Sequence, residues 1–237
     1  MAYRRTERET ARLAARYEAI IEAARALASE SGLAGVQIMS VAERAGIAAG
    51  TVYRYFPSKH DLVAALVRST AERQIAAIRG AAAAAPGALS GLAAAIMTFA
   101  GGTLRMRRLA LAMLVETPEG GSYASRFAFR RDIGNEFETL IRAAIAAGHL
   151  PGQPPAAMAA AIIGATVEGL VGPLAPRSTG PDAEFAAVQA LALFALRALG
   201  VVDARARGMV ISVASNQKPG IRNQESILIP DARIPDS

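Results

Sequence analysis

Thr51, Tyr53, Arg54 and Tyr55 bring three hydroxyls and a guanidinium into one short segment, and Lys59 follows just past Pro57. Side chains of these types make no nucleophile and base pair. They donate hydrogen bonds and positive charge, which is the chemistry that holds phosphate oxygens and reads base edges. The rest of the chain offers little to compete with that reading. There is no cysteine, and the two histidines, His60 and His149, have no zinc-motif spacing, so no metal and no cofactor is expected. Residues 88–200 hold no Gly-rich phosphate loop, no serine in a strained elbow and no carboxylate pair with a plausible partner, so an enzyme is not expected.

Helices must present those side chains. Leu13, Tyr17, Ile20, Ile21, Ala24, Leu27 and Ala28 recur at three- and four-residue steps, which predicts a helix over 10–30 that ends at Ser31 and Gly32. Two short helices follow, Ile38 to Ala45 and Ala48 to Phe56, with Gly46 permitting a tight turn between them. Val41, Ala42, Ile47, Val52 and Phe56 face inward in this pattern. Phe56 in particular reads as core. Pro57 cannot continue the third helix, whereas Ser58 can cap a fourth, with Asp61 completing a capping box, and that helix is expected to reach about Arg79.

The composition, 52% hydrophobic but 5% aromatic with no Trp, points to Ala- and Leu-rich helices and an all-α fold. Further helices are expected over 88–100, 102–115, 122–147, 155–172 and 182–200, with Gly101 and Gly102 among the breaks. After Gly200 the β-prone runs Val210 to Val213 and Ile227 to Ile229 sit among polar residues, so 201–237 is expected to be an extended or disordered tail.

Net charge is +6, and residues 1–80 carry 12 Lys and Arg against 8 Asp and Glu. A basic N-terminal end fits DNA, RNA or an anionic membrane, and charge alone does not choose. No apolar segment backs the N-terminal basic residues, and no stretch near 20 residues is free of charge and apolar enough to span a bilayer, so a cytoplasmic protein without membrane contact is expected.

Val41-Ala42, Ala45-Gly46-Ile47, Gly50-Thr51-Val52-Tyr53-Arg54-Tyr55-Phe56, Pro57-Ser58-Lys59 and Leu62, behind a long helix ending at Gly32, closely resemble the DNA-binding headpiece of TetR-type transcriptional regulators. The resemblance implies a three-helix helix-turn-helix domain over 1–57, joined to a helical effector-binding and dimerisation domain over 58–200. It implies that Gly50 and Thr51 approach DNA, that Tyr53 and Lys59 grip phosphates, and that Arg54 or Tyr55 lies near the groove. Gln37 and Ala49 take interface positions too, although the family usually has Thr or Ser at the first and a Ser-Lys type pair around the second. Arg4 and Arg5, with Arg8, form either a DNA-reaching arm or a solvated start.

For the effector, Phe99, Met106, Met113, Glu116, Arg126, Phe127 and Arg130 offer apolar walls with a few polar groups. Glu168 interrupts a strongly apolar run, so it needs a partner, a ligand or an exposed edge. His149, after Gly148, reads as a helix C-cap. Segments 155–172 and 182–200 are apolar nearly all round, and the family implies that such a terminal pair forms a homodimer that would match a palindromic operator. The expected protein is a sequence-specific repressor released from double-stranded DNA by a small, largely apolar effector. The alternative is a helical small-molecule-binding module with weakened DNA reading, motivated by Ala48 and Ala49.

Overall fold

The computed structural model describes residues 2–114, 123–176 and 180–225, and within them it is entirely helical. Four helices make up the N-terminal part: α1 (Ala2–Ser31), α2 (Ile38–Arg44), α3 (Ala49–Tyr55) and α4 (Lys59–Ala83). Six follow: α5 (Ala88–Arg105), α6 (Arg107–Leu114), α7 (Tyr123–Ala146), α8 (Pro155–Leu170), α9 (Pro181–Ala198) and α10 (Asp203–Glu225).

Local chemistry sets the boundaries in the N-terminal part. α1 stops where Gly32 adopts φ 72°, and the α2–α3 turn closes on Gly46 at φ 64°, a backbone region that favours glycine. The Ile47 N–H donates to the Ala42 carbonyl across that turn at 3.0 Å. Pro57 ends the α3 segment, and the expected cap of α4 is present: the Asp61 N–H donates to the Ser58 hydroxyl at 3.1 Å, and that hydroxyl donates to the Asp61 carboxylate at 2.7 Å. The helix then continues past Arg79 to Ala83.

α5 is the centre of the C-terminal part, packed against α4, α7, α8, α9 and α10. It is 18 residues long with a mean hydropathy of 1.2, which meets the length and composition of a membrane span, yet 72% of it is buried within the protein. Here it serves as a core helix. The break expected at Gly101 and Gly102 does not occur, and α5 runs on to Arg105. Tertiary packing explains the glycine: a Cβ on Gly102 would lie 2.4 Å from the Gln74 side chain, whose amide donates to the Thr98 and Phe99 carbonyls across the α4–α5 seam. Gly102 is a notch for Gln74. A Cβ on Gly91 would likewise approach the Ala82 carbonyl at 3.0 Å, so this glycine lets α4 and α5 lie close.

The expected extended tail is corrected over 203–225, which is α10; residues 226–237 lie outside the described residues. Ala206, Val210, Val213 and Ala214 are buried, and α10 packs against α9 and α5. Their spacing is helical, and burial of that face outweighs the β-preference of the valines. Arg197 and Arg207 both bond the carboxylate of Asp203, in the first turn, and hold it below the usual aspartate range.

Candidate nucleic-acid interface

α3 owes its orientation to the side chains that it buries. Val52 and Phe56 are buried, Ile47 packs partly against the same core, and the Phe56 ring lies 5.3 Å from that of Tyr17 on α1. The opposite face is turned outward. Tyr53 is 51% exposed, Arg54 and Gly50 are exposed, and Thr51 is half-buried beside them. A Cβ added at Gly50 would meet nothing within 4 Å, so nothing in the chain itself requires a glycine there.

Two expected residues point elsewhere. Tyr55 is half-buried against the core, with its hydroxyl 3.5 Å from the Leu13 carbonyl of α1, so it fastens α3 to α1 and does not share the outward face. Ala49 is half-buried and also packs against the core. Neither α2 nor α3 has a side-chain cap at its start, where Gln37 and Ala48 stand. Gln37 is exposed, and its amide donates to the Ala34 carbonyl at 2.9 Å; the Lys59 ammonium reaches the same carbonyl at 3.4 Å. One carbonyl thus brings together the N-terminal ends of α2 and α4. Positive ends of helices beside a lysine, next to the exposed face of α3, form a surface suited to phosphate.

The frame around this surface is charged. Arg44, at the end of α2, makes a two-pronged bond to Glu30 on α1 at 2.5 and 2.8 Å, which holds the Glu30 carboxyl below its usual range. The Glu30 backbone carbonyl accepts from Arg108 of α6. Deeper in, Arg25 is 8% exposed and bonds Ser69 on α4 at 2.9 Å and Glu22 at 2.5 Å. Partial burial acts to raise the Glu22 pKa, but Arg25 and then Arg73 outweigh it and hold the carboxyl low.

The family model for the N-terminal domain of bacterial regulatory proteins of the tetR family matches residues 20–66. Over 54 residues the chain is 57% identical to the HTH-type transcriptional repressor KstR of Rhodococcus jostii strain RHA1, a match that spans 22% of this chain. The chain carries a TetR-type N-terminal domain over residues 20–66. That match covers only 26% of KstR, so likeness to this curated relative is confined to the TetR headpiece. The whole TetR-type fold is seen in solved structures: FadR of Bacillus subtilis in complex with stearoyl-CoA (TM-score 0.64, 20% identity, 78% of this chain and 99% of FadR) and RolR in complex with resorcinol (TM-score 0.58, 20% identity, 85% of this chain and 95% of RolR).

Of the eight expected effector residues, Phe99, Met106, Arg130 and Glu168 have described side chains. Phe99 is fully buried and packs edge-on against Phe137 at 5.6 Å, as a core residue does. Met106 is half-buried at the α5–α6 junction, and Arg130 is exposed on α7. The Glu168 carboxylate accepts the Leu174 N–H at 3.1 Å and so anchors the loop after α8. The side chains of Arg4, Arg5, Met113, Glu116, Arg126 and Phe127 lie outside the described residues. Gly148, at φ 70°, ends α7, and the His149 N–H caps it by donating to the Ala144 carbonyl at 2.9 Å. Sequence reading passed over Arg25, Glu30 and Arg108, because their roles depend on which helices meet.

Two cavities among the described residues lie beyond the helix-turn-helix. One of about 320 Å³ lies between α4 and α7, with Glu72, Arg79, Asp132 and Glu136 on its walls. The other, about 170 Å³, lies between α8 and α9 beside Leu170 and Leu191.

Proposed function

We propose that this protein is a homodimeric transcriptional repressor that reads a palindromic operator and leaves it when a small, largely apolar effector binds its helical domain. The outward face of α3, Gly50 through Arg54 beside Lys59, carries this reading. A helix held by its inner face and bare of protein on its outer face has the form needed to enter a major groove. At Gly50 the absence of a Cβ lets the duplex approach the backbone closely. Tyr53 and Lys59 hold phosphates and fix register, while Thr51 and Arg54 meet base edges.

Dimerisation is assigned to α8 and α9. Phe194 is 58% exposed and Leu174 81% exposed, and the smaller cavity opens on the same side, so a second copy would cover apolar surface that one chain leaves wet. Two-fold symmetry then sets two copies of α3 about 34 to 36 Å apart, or a multiple of that. FadR and RolR were solved with very different ligands, so the fold leaves effector chemistry to the side chains of each chain. The effector acts by binding one spacing of the two headpieces better than the other.

Selection of the purified chain against a random double-stranded DNA pool tests this reading. The expected product is an inverted repeat, with binding weakened by Tyr53→Phe and Lys59→Ala but with base preference unchanged. Recovery of unrelated sequences, bound only at low salt, would instead favour a helical ligand-binding module with a merely basic surface.

A further inference from the structure

Resting on that DNA-reading function, we infer that Lys59 is an acylation site. Transfer of an acyl group from an acyl phosphate to its Nζ lowers operator affinity without any ligand in the helical domain. Of the 26 lysines and arginines in the chain, only Lys59 and Lys218 are lysine. An arginine guanidinium stays protonated and is no acceptor for an acyl group, whereas a lysine amine is the usual target of acetylation. The chain thus keeps almost all its positive charge in a form that acyl donors leave alone. Lys59 is the exception on the surface that faces DNA, at the first position of α4.

The fold commits arginines to its frame and leaves this lysine free of it. Arg25, Arg44, Arg73 and Arg79 each pair with a carboxylate where α1, α2, α4 and α7 meet. Lys59 pairs with no carboxylate among the described residues. Its ammonium lies 3.4 Å from the Ala34 carbonyl, a long hydrogen bond. That carbonyl already accepts from the Gln37 amide at 2.9 Å, so it keeps a partner when the ammonium is modified. Asp61, two residues on, is engaged with Ser58 in the cap of α4. The Lys59 side chain is half-exposed. Neutralising it therefore breaks no ion pair and leaves the cap intact.

The covalent step needs no oxidant and no metal. The ammonium gives a proton to water, and the freed amine attacks the acyl carbonyl carbon. An N–C bond forms, and the bond from that carbon to the bridging phosphate oxygen breaks. Phosphate leaves with the electron pair, and a second proton from the nitrogen goes to solvent. What remains on Lys59 is a neutral amide with one N–H, and a positive charge has gone from the surface that holds phosphate. Each cation that meets a phosphate releases counterions on binding, so losing one lowers affinity and its salt dependence together. Thr51 and Arg54, assigned to base edges, carry no amine, and base preference stays as it was. Bound DNA covers Lys59, so the free protein is the form that reacts.

The test uses the full chain, the inverted-repeat duplex recovered from the random pool, and acetyl phosphate as the acyl donor. Peptide mass mapping should find Lys59 acetylated in the free protein and protected in the complex with the duplex. The chain with acetyl-lysine installed genetically at position 59 should bind the duplex more weakly than the parent. Its log–log salt dependence should be shallower by about 0.9, which makes the deficit about 3.5-fold larger at 50 mM than at 200 mM salt. Acetyl-lysine installed at position 218 should leave affinity and slope unchanged, and thermal midpoints of the three proteins should agree. A Lys59 that stays unmodified in the free protein, or that reacts equally in the complex, would overturn the inference. So would parent-like affinity and slope after its acetylation. These outcomes leave operator reading intact, whereas a parent chain that retains no duplex would overturn the two together.

Discussion

The guanidinium of Arg108 donates to the backbone carbonyl of Glu30, tying the first turn of α6 to the last turn of α1. The Glu30 side chain meanwhile grips Arg44 at the end of α2, so one residue joins the C-terminal helices to the helix-turn-helix. If α6 moves when an effector binds, Glu30 is where the headpiece feels it. Arg108→Ala should therefore raise amide hydrogen exchange across residues 30–46 while leaving α8 and α9 protected. Unchanged exchange in that window would mean that the contact transmits nothing.

Arg25 joins α1 to α4 from within. Its guanidinium bonds Ser69 and Glu22, and its Nε has no partner. Arg25→Ala should lower unfolding free energy by about 2 kcal/mol, because it leaves the Ser69 and Glu22 groups without their donor. Arg25→Lys should recover little, since a single ammonium cannot reproduce the planar fork. Urea denaturation of the three proteins decides this, and a fully stable lysine variant would count against it.

At Gly50 stability and function should separate. A Cβ there meets open space, and the helix gains up to about 1 kcal/mol when glycine gives way to alanine. Gly50→Leu should thus unfold no earlier than the parent protein, yet lose operator affinity by at least about tenfold, equivalent to about 1.4 kcal/mol. Retained affinity would show that DNA does not approach this position.

Acid should loosen the α1–α4 seam. The folded Glu22 carboxyl titrates below its ordinary value of 4.5 because Arg25 and Arg73 favour its charged form against partial burial. Its stabilising contribution is complete above the unfolded value and is lost as pH falls through the lower, folded one. Glu22→Gln should flatten the stability profile below pH 4.5, measured by urea midpoints at successive pH values. An equally steep profile in the variant would place the acid sensitivity elsewhere.

α10 should behave as part of the fold. Val210 is 5% exposed between α10 and its neighbours, so Val210→Ala should cost about 2 kcal/mol. The neighbouring Ile211 is 63% exposed, and Ile211→Ala should be close to neutral. Equal small effects at both positions would indicate a helix that is not docked.

By itself the sequence determined the headpiece, because its instructions there are local. Gly32 and Gly46 mark turns, Ser58 and Asp61 make a cap, and Val52 with Phe56 defines which way α3 faces. Each acts over a few residues, so composition and spacing were enough. Tertiary structure decided what depends on distant partners. It turned Tyr55 towards Leu13 and away from the outward face, and it made Gly102 a notch for Gln74 where a helix end was expected. It also folded valine-rich 203–225 into a helix, because α5 and α9 offered a face to bury. Arg12 and Arg25 show the same division: two arginines on one helix, identical in local sequence chemistry, one buried at α4 and the other left exposed. No local rule separates them, since the difference lies in where α4 begins to cover α1.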